Sequence, residues 1–232
     1  ISGEYPPGST FKIITGAAAL EEKKVTPEEK ILDTGKHWII PKGNAMGEAL
    51  GWLDFREALA KSDNVYFYEM GNRLGIDLLE KYARLFGLGK TTGINLPCEM
   101  EGLVANKQYK KKVYDDDWYL SETFDAAIGQ GFQLTTPLQM AMVLSQVANG
   151  GISYRPYLVN KIVDSNGSLV QDFKPEKLGE LPISKKTMDI IRESLRNVAL
   201  EGGTAGLLFK DFPVNIAGKT GTSENPHGSD HG

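Results

Sequence analysis

The sequence predicts a mixed α/β (α+β) fold, in which an antiparallel sheet is flanked by helices and accompanied by an all-helical lobe. Helix signals dominate residues 25–150, strand signals follow Gly151, and a helical pattern returns at 184–200. Apolar residues that recur every three to four positions indicate a helix, whereas short apolar runs bounded by turn residues indicate strands. We therefore expect a mostly helical lobe over 25–150, with residues 1–24 and 151–232 forming the sheet-plus-helix part.

Helix signals are strongest at the start of the chain and inside the lobe. Small and apolar residues predict a first helix over residues 9–23. Asp54 with Glu57 three residues later is a capping pattern, and it predicts a helix that ends near Lys61. Three more helices are predicted over 65–74, 77–86 and 137–148.

Residues 90–124 lack a clear period. This stretch contains the runs Lys110-Lys111-Lys112 and Asp115-Asp116-Asp117. Runs of like charge are usually solvated, so we expect loops at the surface here.

The pattern changes after the lobe. Strands are predicted over 157–159, 161–163, 169–170 and 214–222. Asn166-Gly167 lies between the second and third of these strands, and this dipeptide is typical of a hairpin turn. An amphipathic helix is predicted over 184–200, between the hairpin and the last strand.

Composition narrows the range of functions. The chain has 232 residues, is 41% hydrophobic and 24% charged, and carries a net charge of −4. These values are ordinary for a soluble globular protein and do not favour nucleic acid or an anionic membrane surface as a partner. The single cysteine, Cys98, excludes a disulfide framework within the chain. Because the chain begins only eight residues before Ser9, we expect it to be a piece of something longer.

The first candidate motif is Ser9-x-x-Lys12, at the start of the first predicted helix. Residues three apart on a helix share a face, so the Ser9 hydroxyl and the Lys12 amine can meet. A serine becomes a good nucleophile when a nearby base takes its proton, and lysine acts as a base when its pKa is lowered. Alone, this pair is a weak signal.

Two further motifs follow in order: Ser62-Asp63-Asn64 between two predicted helices, and Lys219-Thr220-Gly221 near the end. The three motifs in this order are typical of class A β-lactamases and penicillin-binding proteins. Each motif is weak singly, but all three in suitable contexts form a strong signal for acyl transfer through a serine.

The chemistry accounts for the residue types. Ser9 would be the nucleophile, Lys12 the base, and Ser62 a relay that carries a proton toward the leaving nitrogen. We expect the substrate-binding residues to be Asn64, Lys219, Thr220, Gly221 and Thr222. Asn64 would hold the substrate amide, and the two threonines would help Lys219 to bind a carboxylate. Gly221 would leave room for the substrate. Backbone N–H groups of Ser9 and Thr222 would form the oxyanion hole, and the charge of Lys219 would lower the pKa of Lys12.

The chain resembles the transpeptidase domain of class B penicillin-binding proteins and, among these, the elongation-type penicillin-binding protein 2. The resemblance covers essentially the whole chain and rests on four segments. These are 5–12 (YPPGSTFK), 60–68 (AKSDNVYFY), 129–139 with Gly129-Gln130-Gly131 and Thr135-Thr136-Pro137, and 217–224 (AGKTGTSE). The polar ending with His227 and Asp230 is similar to the elongation type rather than the division type.

This resemblance implies a serine β-lactamase/DD-transpeptidase-like fold and a peptidoglycan D,D-transpeptidase that β-lactams acylate. It implies stem peptides ending in D-Ala-D-Ala as substrates, with a glycosyltransferase and membrane proteins of the elongation complex as partners. It also implies the extracytoplasmic face of a bacterial membrane, reached through an N-terminal anchor outside this chain. Family domains carry further strands, so we expect residues 1–232 to form one incomplete transpeptidase domain with an incomplete sheet.

Two other functions stay open. A class A β-lactamase shares the motifs, but it needs a glutamate that holds the deacylating water, and no Glu-x-x-Leu-Asn follows Ser62. The stretch between Ser62 and Lys219 is also long for that enzyme. A β-lactam-binding sensor domain would acylate and stay acylated, and only the elongation-type ending argues against it.

Neither a cofactor nor a metal is expected. Asp33 and His37 are potential ligands in a loop-rich region, but a full ligand set does not accompany them. For His227 and Asp230 we weigh a chain-terminal loop against a rim that shapes the substrate pocket.

Overall fold

The computed structural model describes residues 1–223, so His227 and Asp230 lie outside the described part. Its helices are α1 (Lys12–Glu21), α2 (Phe55–Lys61), α3 (Asn64–Leu85), α4 (Lys107–Tyr114), α5 (Leu120–Ala127), α6 (Pro137–Ala148), α7 (Lys185–Val198) and α8 (Gly206–Phe209), and a 3-10 turn, Gly8–Phe11, precedes α1. Its strands are β1 (Ile31–Asp33), β2 (Gly51–Leu53), β3 (Ile152–Tyr154), β4 (Lys161–Val163), β5 (Leu169–Asp172) and β6 (Lys177–Glu180). Helices with small antiparallel sheets confirm the predicted α/β class.

Helix α1 is the centre of the core. Ile13, Ile14 and the alanines 17–19 are fully buried, and α1 packs against α3, α7 and α2. A Cβ at Gly16 would lie 2.8 Å from the ring of Phe55, so glycine allows the close approach of α2. Burying an isoleucine side chain contributes about 1.5–3 kcal/mol. The residue that opens this buried helix, Lys12, is therefore held in a fixed place.

The link between α2 and α3 forms as predicted. Asp54 accepts from the Glu57 N–H, and the Glu57 carboxylate accepts from the Asp54 N–H, which completes the capping box. After α2, Asp63 caps α3 by accepting from the Tyr66 N–H at 2.7 Å. Helix α3 is interrupted at Gly75, whose φ of 73° favours glycine, and this break separates the two helices predicted over 65–74 and 77–86.

The expectation of loops over 90–124 is wrong for its second half. Asn106 caps α4 by accepting from the Tyr109 N–H, and the lysine run, whose residues favour helices, lies on α4. Lys110 is buried: its Nζ lies 2.7 Å from the Glu122 carboxylate, on α5, and 2.9 Å from that of Asp116. Only the outer charges of this stretch are solvated.

Each sheet in residues 1–223 has two antiparallel strands: β1–β2, β3–β6 and β4–β5. The hairpin β4–β5 confirms the turn prediction at Asn166-Gly167. The strand predicted over 157–159 is absent, because the ladder of this hairpin extends only to the contact between the Phe173 N–H and the Asn160 carbonyl.

The strand predicted over 214–222 is also absent. A strand needs a neighbour to hydrogen-bond with, and no strand of residues 1–223 pairs with this segment. It is held instead by single contacts, such as the Gly218 N–H donating to the Leu195 carbonyl at 3.1 Å. None of the helices in residues 1–223 has the length and apolar character that a bilayer crossing requires.

Candidate active site

Lys12 lies fully buried at the start of α1, and its amine points toward the second motif. Lys12 Nζ donates to the Ser62 carbonyl at 2.7 Å and to Asn64 Oδ1 at 2.6 Å, and it lies 3.4 Å from Ser62 Oγ. Burial, and then the nearby charge of Lys219, hold the pKa of Lys12 well below its usual value. A buried lysine with a lowered pKa can accept a proton near neutral pH.

Ser62 is held between two amines. Its backbone is left-handed, with φ 59°, an uncommon conformation for a residue other than glycine. Its Oγ accepts from Lys219 Nζ at 2.7 Å and also contacts Lys12 Nζ at 3.4 Å. Burial lowers the pKa of Lys219 to about 7. Ser62 can therefore pass a proton between groups whose pKa values are both lowered.

Ser9 lies in the 3-10 turn directly before Lys12 and is partly exposed. Within residues 1–223 its hydroxyl has no hydrogen-bond partner, and the expected contact with Lys12 is replaced by the contacts of Lys12 with Ser62 and Asn64. Ser9 and Lys12 are three residues apart across the 3-10 turn and share a face, but the short hydrogen bonds of Lys12 Nζ direct its amine away from Ser9 and toward the second motif. A free, partly exposed hydroxyl is accessible to a substrate.

The third motif lies against the turn that carries Ser9, although it does not form a strand. A Cβ on Gly8, whose φ is 55°, would overlap the carbonyl oxygen of Thr222, so only glycine permits this approach. Gln130 Nε2 lies 3.4 Å from the same oxygen, and Thr220 Oγ1 lies 2.8 Å from Thr204 Oγ1. The structure thus brings Ser9, Ser62 and the segment 219–222 to one place.

The residues behind Asn64, Asn44 and Asp33, lie outside the three sequence motifs. The Asn64 N–H donates to Asn44 Oδ1 at 2.7 Å, and Asn44 Nδ2 donates to Asp33 Oδ2 at 2.7 Å. These partners lie far apart along the chain in a loop-rich stretch without a period, so the sequence contains no signal that joins them.

Asp63 of the second motif has an unusual environment. It is fully buried, and its Oδ2 has no hydrogen-bond partner in the described part of the chain. Burial raises the pKa of Asp63 to about 7, although the Tyr66 N–H opposes this by favouring the ionised form. At neutral pH the group therefore retains much of its proton.

His37 and Asp33 have protein partners. His37 Nε2 lies 3.3 Å from the Glu69 carboxylate, and Asp33 accepts from the Gly35 N–H at 2.6 Å and the Leu50 N–H at 2.8 Å. Within residues 1–223 no group of three His, Cys, Asp or Glu side chains is arranged to hold a metal ion. Cys98 is a free, exposed thiol.

Comparison with known proteins is consistent with this geometry. The family model of the penicillin binding protein transpeptidase domain matches residues 1–232. The chain belongs to this family. A peptidoglycan D,D-transpeptidase MrdA from Haemophilus influenzae is 30% identical over 232 residues, covering 96% of this chain and 35% of the relative. The chain thus spans about a third of the length of the curated relatives that it matches.

Solved structures of the family superpose closely. Pseudomonas aeruginosa PBP2 in complex with WCK 5153 has a TM-score of 0.85 and 30% identity, over 96% of this chain and 51% of that one. PBP2 of Helicobacter pylori in complex with MreC has a TM-score of 0.84 and 28% identity, over 96% of this chain and 41% of that one. These similarities confirm the DD-transpeptidase fold that the sequence resemblance implied.

Proposed function

We propose that this penicillin-binding transpeptidase chain cross-links peptidoglycan stem peptides through a serine acyl-enzyme and is acylated by β-lactams. The observation that carries the proposal is the row of hydrogen bonds from Asn64 through Lys12 and Ser62 to Lys219. It supplies a buried base, a relay hydroxyl and a cation next to the turn that carries Ser9. Residues 1–232 would belong to one transpeptidase domain, with 25–150 as its helical lobe.

In the acylation step, neutral Lys12 takes the hydroxyl proton as Ser9 Oγ attacks the carbonyl carbon of the penultimate D-Ala. The carbonyl oxygen gains negative charge, which the backbone N–H groups of Ser9 and Thr222 stabilise. The tetrahedral intermediate then collapses and the amide C–N bond breaks. The proton travels through Ser62 Oγ to the leaving nitrogen, and D-Ala departs as a neutral amine.

The second half of the reaction, in which the acyl group leaves Ser9, reverses this proton path. The amine of a neighbouring stem peptide attacks the ester carbonyl and loses a proton to Lys12. The ester C–O bond breaks and Ser9 Oγ regains a proton. Reuse of the same base and relay in both directions follows from microscopic reversibility, because the two attacks are chemically alike.

The remaining motif residues would hold the substrate. Lys219, with Thr220 and Thr222, would bind the terminal carboxylate, since an ammonium flanked by hydroxyl groups favours an anion. Asn64 would hold the substrate amide by donating from Nδ2, and Gly221 would leave space for the peptide backbone. Burial lowers the pKa of Lys219 to about 7, and a bound carboxylate would raise this pKa and so favour the charged form.

The partners follow from the same proposal. Stem peptides would be the substrates, and a glycosyltransferase with membrane proteins of the elongation complex would act alongside. The complex of Helicobacter pylori PBP2 with MreC supports the second part. The site of action would be the extracytoplasmic face of the bacterial membrane, through an N-terminal anchor.

The test is incubation of the purified protein with a fluorescent penicillin, followed by intact mass over hours, with Ser9→Ala as the matched control. We expect a stable adduct on Ser9 and none in Ser9→Ala. Release of D-Ala from a stem-peptide analogue then separates a transpeptidase from a sensor. An adduct that vanishes within seconds would indicate a β-lactamase and would refute the proposal, as would a folded protein without any adduct.

A further inference from the structure

Asn44 joins two parts of the molecule that are distant in the sequence. The residue is 9% exposed. Oδ1 accepts from the Asn64 N–H at 2.7 Å, while Nδ2 donates to Asp33 Oδ2 at 2.7 Å and to the Glu48 carbonyl at 3.0 Å. Every polar atom of this amide is thus used, and its orientation is defined.

The contact between Asn44 and Asn64 lies at the first turn of α3, where it fixes the position of Asn64. Asn64 is the first residue of α3, and the N–H groups of a first helical turn lack partners within the helix. Asp63 accepts from the Tyr66 N–H, and Asn44 accepts from the Asn64 N–H. The Gly43 carbonyl accepts from Asn64 Nδ2 at 3.2 Å. With its N–H and Nδ2 held, Asn64 can direct Oδ1 only toward Lys12 Nζ, which lies 2.6 Å away.

Asp33 determines which way the Asn44 amide faces. Asp33 is 3% exposed and accepts from the Gly35 and Leu50 N–H groups as well as from Asn44 Nδ2. A carboxylate can accept hydrogen bonds but cannot donate them. Asp33 therefore attracts the NH₂ end of the Asn44 amide, and Oδ1 is left to face Asn64. Three backbone and side-chain donors hold this anchor in place.

We propose that Asn44 is a positioning residue, which holds Asn64 Oδ1, and through it the base amine of Lys12, in the geometry needed for acylation of Ser9. Asp33 anchors Asn44 from behind. This inference rests on the proposed acyl-transfer function and adds to it a residue outside the three motifs. A misplacement of about 1 Å in a catalytic group can cost up to about 100-fold in rate.

The first test compares Asn44→Ala with Met46→Ala, because Met46 lies on the same loop and is 91% exposed. The rate constant of acylation by a fluorescent penicillin is measured for the labelled fraction, so that unfolded protein does not contribute. We expect wild-type and Met46→Ala to react alike, and Asn44→Ala to react at least about tenfold more slowly. If Asn44→Ala only lowered the labelled fraction and left the rate constant unchanged, its role would be structural and the proposal would be wrong.

The second variant, Asn44→Asp, tests the positioning role of Asn44 even if Asn44→Ala fails to fold. The new carboxyl keeps an acceptor for Asn64, but it can donate to Asp33 only when protonated. The Asp33 carboxylate, which the residue at position 44 faces, disfavours its ionisation, and Asp63 adds to this effect only when it has lost its own proton. Lys12 and Lys219 lie beyond Asn64. We expect its acylation rate, divided by the wild-type rate at the same pH, to rise as the pH falls. A ratio independent of pH would overturn the proposal.

The two proposals can fail separately. A folded wild-type protein that forms no adduct on Ser9 would refute the acyl-transfer function and this inference together. A normal wild-type rate with an equal rate for Asn44→Ala would refute only the role of Asn44.

Discussion

Lys219 Nζ lies 2.7 Å from Ser62 Oγ, so the third motif reaches the second although residues 214–222 form no strand. Lys12 Nζ lies 3.4 Å from the same hydroxyl. One hydroxyl therefore lies between two amines, and each amine is held below its usual pKa, chiefly by burial. Two cations this close disfavour each other, so the protonation states of Lys12 and Lys219 should be linked.

Lys219→Met should weaken acylation most for penicillins with a free carboxylate. The variant keeps much of the side-chain volume and removes the ammonium group, so the loss reports charge rather than packing. Acylation rates are compared for a penicillin and its methyl ester. In the wild type, the advantage of the free acid over the ester should shrink as the pH rises above about 7, because Lys219 loses its proton there. An equal loss for both ligands in Lys219→Met would count against a carboxylate-binding role.

Lys12→Ala should slow acylation by about 10²–10⁴-fold, which is the usual contribution of a general base. Lys12→Arg is the matched control, because it retains a cation that does not lose its proton near neutral pH. If Lys12 acts as a base, arginine should not restore the rate. If its role is only to hold Asn64, arginine should restore much of it. Rate constants of adduct formation, with thermal melting to verify folding, distinguish these results.

The local sequence predicted the helices that carry their own start signals. Asp54 with Glu57 predicted α2, and Pro137 opened α6 as expected. The predicted break between the helices over 65–74 and 77–86 is also confirmed, since Gly75, with φ 73°, lies between them. Such features depend on neighbours a few residues away, and these neighbours are visible in the sequence.

Features that depend on distant partners were not predictable. Residues 214–222 look like a strand by composition, but no described strand pairs with them. Lys110 belongs to a charged run and is nevertheless buried, because its partners Asp116 and Glu122 surround it. Asn44 resembles any loop residue until Asp33 and Asn64 are seen on either side. The three motifs were visible, whereas the residues that orient them were not.

Asp63→Asn should change how stability depends on pH. The pKa of Asp63 is raised to about 7 in the folded state, against about 3.9 in an unfolded chain. Between these values the folded protein keeps a proton that the unfolded chain has lost. This group therefore stabilises the fold most at low pH, and its contribution is lost as the pH rises toward 7. Asparagine can still accept from the Tyr66 N–H, which makes it a matched replacement.

Chemical denaturation of wild type and Asp63→Asn at several pH values provides the measurement. The difference in the free energy of unfolding should increase in favour of the variant from pH of about 4 to about 7, by an amount of the order of a few kcal/mol. Parallel curves for the two proteins would show that Asp63 ionises normally in the folded state.

Lys110→Met should lower the melting temperature more than Lys111→Met does. Lys110 is buried and contacts Asp116, Glu122 and the ring of Tyr119, which lies 4.0 Å from Nζ, whereas the side chain of Lys111 is 59% exposed. Removing Lys110 leaves two carboxylates without their shared cation, while an exposed ion pair contributes little. Lys110 holds the pKa of Asp116 below its usual range, so its stabilising effect should persist into mildly acidic buffer. It should then be lost as the pH falls further and Asp116 gains its proton. Equal melting temperatures for the two variants at neutral pH would show that the buried contacts of Lys110 do not stabilise α4.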